Sequence, residues 1–119
     1  MREFKFRAWD LKLGENSMFY FPNPIPIGLA LWRISRDPKG YAIMQFTGII
    51  ARDKKEVYEY DIIEYRTEDG GAYSTAFKGI VKYDNGAFRC PYELGTIEIF
   101  KVLGNIYENP ELLKVEINE

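Results

Sequence analysis

Short runs of β-branched and aromatic residues whose character changes at every second position constrain this chain most, because that period matches a pleated strand and not a helix. Residues 2–9 set Phe4, Phe6 and Ala8 on one side against Glu3, Lys5 and Arg7 on the other, the pattern of a half-buried strand. Residues 18–21, 29–34, 41–46, 57–66, 79–83, 87–90 and 96–103 supply further strand candidates. Turn residues separate them. Gly14-Glu15-Asn16-Ser17 reads as a turn, and Ser35-Arg36-Asp37-Pro38-Lys39-Gly40 suits a connection that pairs 29–34 with 41–46 as a hairpin. Glu68-Asp69-Gly70-Gly71 breaks the pattern with residues that tolerate positive φ. Asp84-Asn85-Gly86 is the strongest local signal, since Asn-Gly favours the type I′ turn that matches strand twist.

Two segments resist the strand pattern. Residues 21–26 contain three prolines, which cannot donate backbone hydrogen bonds, so they belong to a loop or a sheet edge. Asn109-Pro110-Glu111 places a cap residue, a proline at the first helical position and an acid in the first turn, which predicts one short C-terminal helix. With 119 residues the chain has room for one core, and folding at this size hides about two-thirds of the extended surface. We expect a single mainly β domain over 1–119, a small barrel or sandwich. It divides into N-terminal strands and a variable Pro-rich loop (1–43), a barrel core (44–107) and the C-terminal helix and tail (108–119).

Composition narrows the chemistry. There is no histidine, which removes His-based triads and His-ligated metals, and the single Cys90 permits no intrachain disulfide. Sixteen Lys and Arg against eighteen Asp and Glu leave a net charge of −2, too mild for a strong field. Charges at alternate N-terminal positions do not form a secretory signal. The longest apolar stretch, 25–32, is interrupted by Pro26 and Gly28 and falls far short of the ~20 residues that span a bilayer. The expectation is a cytoplasmic protein without membrane contact.

Each candidate constellation has a plain alternative. Glu56, Glu59, Asp61 and Glu64 could pair for acid/base work or oxygen ligation, but a solvated strand face opposite Lys54 and Lys55 explains them as well. Cys90 without histidine needs another cation to become a nucleophile, and a buried thiol is the simpler reading. Gly70-Gly71 lacks phosphate-loop spacing. Trp9 and Trp32 suit core packing. Arg33, Arg36, Lys39, Arg52, Lys54 and Lys55 lie on or near two turns and, with Tyr41 or Tyr58 for base stacking, are the candidate nucleic-acid-binding residues.

Four blocks of sequence carry a resemblance. They are Arg2-Glu3-Phe4-Lys5-Phe6-Arg7-Ala8-Trp9-Asp10; Met44-Gln45-Phe46-Thr47-Gly48 running on to Glu56-Val57-Tyr58-Glu59-Tyr60-Asp61-Ile62-Ile63; residues 79–88; and Gly104-Asn105-Ile106-Tyr107-Glu108-Asn109-Pro110-Glu111-Leu112-Leu113. In this order they resemble the YopX family of small phage and prophage proteins. That resemblance implies a β-rich protein containing an SH3-like barrel, encoded by temperate phages and assembling with copies of itself. It brings no biochemical activity. The family usually has glycine where this chain has Tyr60, so the backbone there is expected not to need glycine. Asp61, Asn105 and Tyr107 are read as residues that fix turns.

The expected function is therefore a non-enzymatic, homo-oligomeric interaction module without cofactor or metal. A nucleic-acid-binding small barrel is the alternative, and an adaptor or inhibitor of a host protein is a third.

Overall fold

The computed structural model describes residues 4–15, 17–67 and 76–114. Strands dominate the described residues, and antiparallel pairing joins most of them. The chain forms two compact units, Met1–Phe46 and Thr47–Glu119.

In the first unit, β1 (Phe6–Asp10) lies between β2 (Met18–Phe21) and the first half of β3 (Tyr41–Ile50). Register pairs Phe6 with Phe21 and with Gln45. Between β2 and β3 runs α1 (Ile27–Ser35). Ala8, Phe19, Phe21, Ala30 and Ile34 form the buried cluster, with Phe6, Ile25 and Tyr41 packed on it.

Three expectations change here. Residues 29–34 form a helix and not a hairpin strand, because Ala30 and Ile34 stand four apart and bury together on one helical face. The helix begins where the Ala30 N–H donates to the Pro26 carbonyl and ends before Asp37-Pro38, which opens the 3₁₀ turn Pro38–Gly40. Strand β1 is covered on both faces, since Arg7 and Trp9 are as buried as Ala8; Arg7 Nε donates to Met44 Sδ at 3.4 Å. Phe4, counted on the apolar face, is exposed. The turn read at 14–17 includes Asn16, outside the described residues.

In the second unit, β4 (Glu56–Tyr58) follows β3 in the sheet, and Thr47 Oγ1 donates to the Val57 carbonyl at 2.7 Å. β5 (Asp61–Thr67) is the centre of a second sheet, flanked by β6 (Phe77–Ile80) and β9 (Ile97–Asn105). β7 (Lys82–Asp84) and β8 (Ala87–Arg89) make a separate hairpin. Its loop residues Asn85 and Gly86 have φ of 52° and 82°, both positive as a type I′ turn requires. Val57, Ile63, Tyr65, Val81, Cys90, Leu94 and Ile99 anchor the core.

The run 57–66 is two strands and not one. Its break is at Glu59-Tyr60, where Tyr60 has φ 65°, so the backbone does adopt the left-handed conformation that glycine favours. The expectation that this position has no need of glycine is overturned; a tyrosine simply occupies it. Likewise the run 79–83 breaks at Val81, whose N–H donates to the Asp61 carbonyl while its own carbonyl accepts from Tyr60. The C-terminal helix is present as a 3₁₀ turn, Pro110–Lys114. Asn109 does not cap it through its side chain: Oδ1 reaches back to accept the Asn105 N–H at 3.1 Å. A Cβ on Gly104 would stand 2.3 Å from that Oδ1, which is why the close approach takes glycine. The break read at 68–71 lies outside the described residues.

Candidate functional site

The six cations singled out in the sequence fall into two sets, Arg33, Arg36 and Lys39 in the first unit and Arg52, Lys54 and Lys55 in the second. Arg33 lies over the Phe19 ring at 4.5 Å and Arg36 over the Trp32 ring at 4.9 Å, so each is held by a different aromatic. Arg52 pairs with Glu98 and lies 5.5 Å from the centre of Phe100. Lys54 and Lys55 complete the turn out of Ala51, with Lys54 at φ 74°. Tyr58 is buried and Tyr41 meets Phe19 edge-on at 5.9 Å, so those rings serve packing.

The four carboxylates do not share one solvated strand face. Glu56 is on β4, Glu59 in the following turn, and Asp61 and Glu64 on β5, where Glu64 is in register with Lys78 and Lys101. Asp61 is 1% exposed, and its Oδ2 accepts the Tyr58 N–H at 2.7 Å. Asp61 is in register with Asn105, whose Oδ1 accepts the N–H groups of Tyr107 and Glu108. These residues lock two turns together, as short polar side chains do.

Cys90 is buried, and burial pushes its thiol up to about 11, partly offset by a backbone hydrogen bond with Tyr92. At neutral pH that sulfur is a thiol and a poor nucleophile. Trp9 packs inside as expected, whereas Trp32 is 57% exposed on α1.

Two surfaces escaped the sequence reading. The first is a groove of about 1040 Å³ in the second unit, built by β6 and the β7–β8 hairpin. Buried Tyr65 lines it, with the Phe77 ring at 5.8 Å and the Tyr92 ring at 6.1 Å; those two residues are 45% and 50% exposed. Gly79 lets β6 approach the Cys90 carbonyl, which a Cβ would meet at 2.2 Å. Lys78, Lys82 and Arg89 line the groove with Asp84. Lys82 and Arg89 are direct cross-strand partners. The signal available in the sequence was the alternation of cation and aromatic through Lys82-Tyr83 and Phe88-Arg89 around the Asn-Gly turn. The second surface is on α1, where Ile27, Leu29, Leu31 and Trp32 are all exposed, Leu29 and Trp32 on the side away from the buried Ala30 and Ile34.

These hairpins, with one short helix among nine strands in the described residues, define a small, mainly β protein of antiparallel sheets. The model of the YopX protein family matches residues 29–114, and the chain belongs to that family. Two solved structures have a similar fold. The crystal structure of protein EF1440 from Enterococcus faecalis is 24% identical with a TM-score of 0.58, covering 95% of this chain and 99% of that one. The crystal structure of protein yopX from Bacillus subtilis is 22% identical with a TM-score of 0.50, covering 91% and 96%. No curated protein matches.

Proposed function

We propose that this chain is a non-enzymatic interaction module, encoded by a phage or prophage and working in the bacterial cytoplasm, that assembles with copies of itself. The observation that carries the reading is α1, which buries Ala30 and Ile34 and leaves Leu29 and Trp32, three residues apart on its opposite side, about half exposed, with Ile27 and Leu31 exposed on its flank. An apolar helix face left in water marks an interaction surface. A second copy fits it because an apolar face is its own complement under a two-fold axis. Covering the half-exposed Leu29 and Trp32 is worth about 1 kcal/mol each. A symmetric pair of helices then gains about 4 kcal/mol against roughly 4–15 kcal/mol for association, so α1 needs further contact area. The edge strand β2, with one side open in the sheet order, is the natural addition. The un-ionised Cys90 and the lack of histidine support a non-catalytic role.

Native mass spectrometry with light scattering at micromolar concentration tests this. A homo-oligomer that Leu29→Glu and Trp32→Glu reduce to monomers is expected; a strictly monomeric parent chain overturns the proposal.

A further inference from the structure

Beyond self-association, we infer that the groove of the second unit binds single-stranded nucleic acid, its bases stacking on Phe77 and Tyr92 and its phosphates held by Lys82 and Arg89. Unpaired bases seek aromatic faces beside cations that track the backbone. Both are found here. The buried Tyr65 ring contacts both Phe77 and Tyr92, which holds the two half-exposed rings in place. Tyr83, 57% exposed and edge-on to Phe88 at 5.1 Å, adds a third ring on the hairpin.

Charge decides which ligand the rings suit. Lys82 and Arg89 face each other directly across the two-stranded ribbon, a like-charge pair that Glu93, 3.2 Å from Arg89, offsets only in part. Arg89 donates through Nε to the Asp84 carbonyl at 3.0 Å and through Nη2 to Glu93 at 3.2 Å. Its guanidinium is thereby oriented with donors to spare. Lys82 has no hydrogen-bond or ion-pair partner among the described residues. Lys78, in register with Glu64, adds a third cation, and Asp84 is the one acid lining the groove among those residues. A chain of net charge −2 thus gathers positive charge beside its exposed rings. A duplex hides its base faces and cannot use them, so single strands are the ligand.

Fluorescence anisotropy with labelled dT15 and rU15 tests the inference, at low salt and through a salt titration. We expect binding whose log–log salt slope is near −2, at ~0.7 per phosphate neutralised by three cations. Lys82→Gln combined with Arg89→Gln should cut affinity at least roughly tenfold and leave about a third of that slope. Tyr92→Leu and Phe77→Leu, which keep an apolar side chain but remove the ring, should each cost about tenfold. Circular dichroism verifies that each variant is folded; should Phe77→Leu fail, Tyr83→Leu replaces it. Absence of binding at low salt overturns the inference. So does equal affinity for duplex DNA or poly-glutamate, or affinity unchanged in the folded variants. Because all substituted residues lie in the second unit, the oligomeric state tested through α1 is read separately.

Discussion

Tyr60 shows how a single residue can hold a backbone conformation it does not favour. At φ 65° a non-glycine residue gives up about 1 kcal/mol. Three contacts keep it there: its N–H donates to the Val81 carbonyl at 2.7 Å, its carbonyl accepts from Ile106 at 3.1 Å, and its ring meets Tyr107 edge-on at 6.2 Å. Removing the ring alone separates the two effects. We expect Tyr60→Gly to be more stable than Tyr60→Ala by about 1 kcal/mol in urea denaturation, because only glycine relieves the left-handed strain. Equal stabilities would mean that the turn relaxes to negative φ. Cys90 illustrates burial acting on an ionisable group. Its native thiol, at about 11, holds its proton more tightly than an ordinary thiol at 9.0, so the stability it contributes is complete below pH 9 and declines as the pH rises through 11. Near pH 8 about one molecule in a thousand carries the thiolate. A thiol reagent should therefore modify native protein at least about a hundredfold more slowly than urea-unfolded protein, and comparable rates would show an open site.

Among the elements, α1 and the β7–β8 hairpin show opposite degrees of legibility. Asn85-Gly86 announces its turn because the two left-handed φ angles are a local requirement that few residue pairs satisfy. Residues 29–34 announce nothing comparable, since a six-residue apolar run fits a buried strand and a helix alike. The decision between them was made by packing of Ala30 and Ile34 beneath a helix whose other side stays open. A backbone test follows. Gly28 lies inside α1, and a Cβ there would meet nothing within 4 Å. Gly28→Ala should accordingly raise stability by about 0.5–1 kcal/mol, measured by thermal denaturation monitored at 222 nm. A loss of stability would contradict the helix. The groove belongs to this scale too: β6, the hairpin and Tyr92 follow one another within residues 77–92, but their meeting over Tyr65 depends on β5 pairing, which no local pattern records.

For the molecule as a whole, the apolar surface of α1 has a thermodynamic consequence. If native chains assemble and unfolded chains do not, mass action ties stability to concentration. A tenfold rise in protein concentration should raise Tm by roughly 2–5 °C, and Trp32→Glu should abolish that dependence. A Tm independent of concentration in the parent chain would speak against assembly. What the amino-acid order determined by itself were local matters: the mainly β character, the type I′ hairpin and the lack of histidine chemistry. Alternation and turn chemistry act over a few residues, so they can be read in order along the chain. Tertiary structure alone decided that 29–34 coil, that Arg7 is buried, that Tyr60 sits at positive φ, and that Phe77, Tyr92, Lys82 and Arg89 converge on one groove. Those outcomes rest on contacts between separate elements, whose free energies no window of neighbouring residues contains.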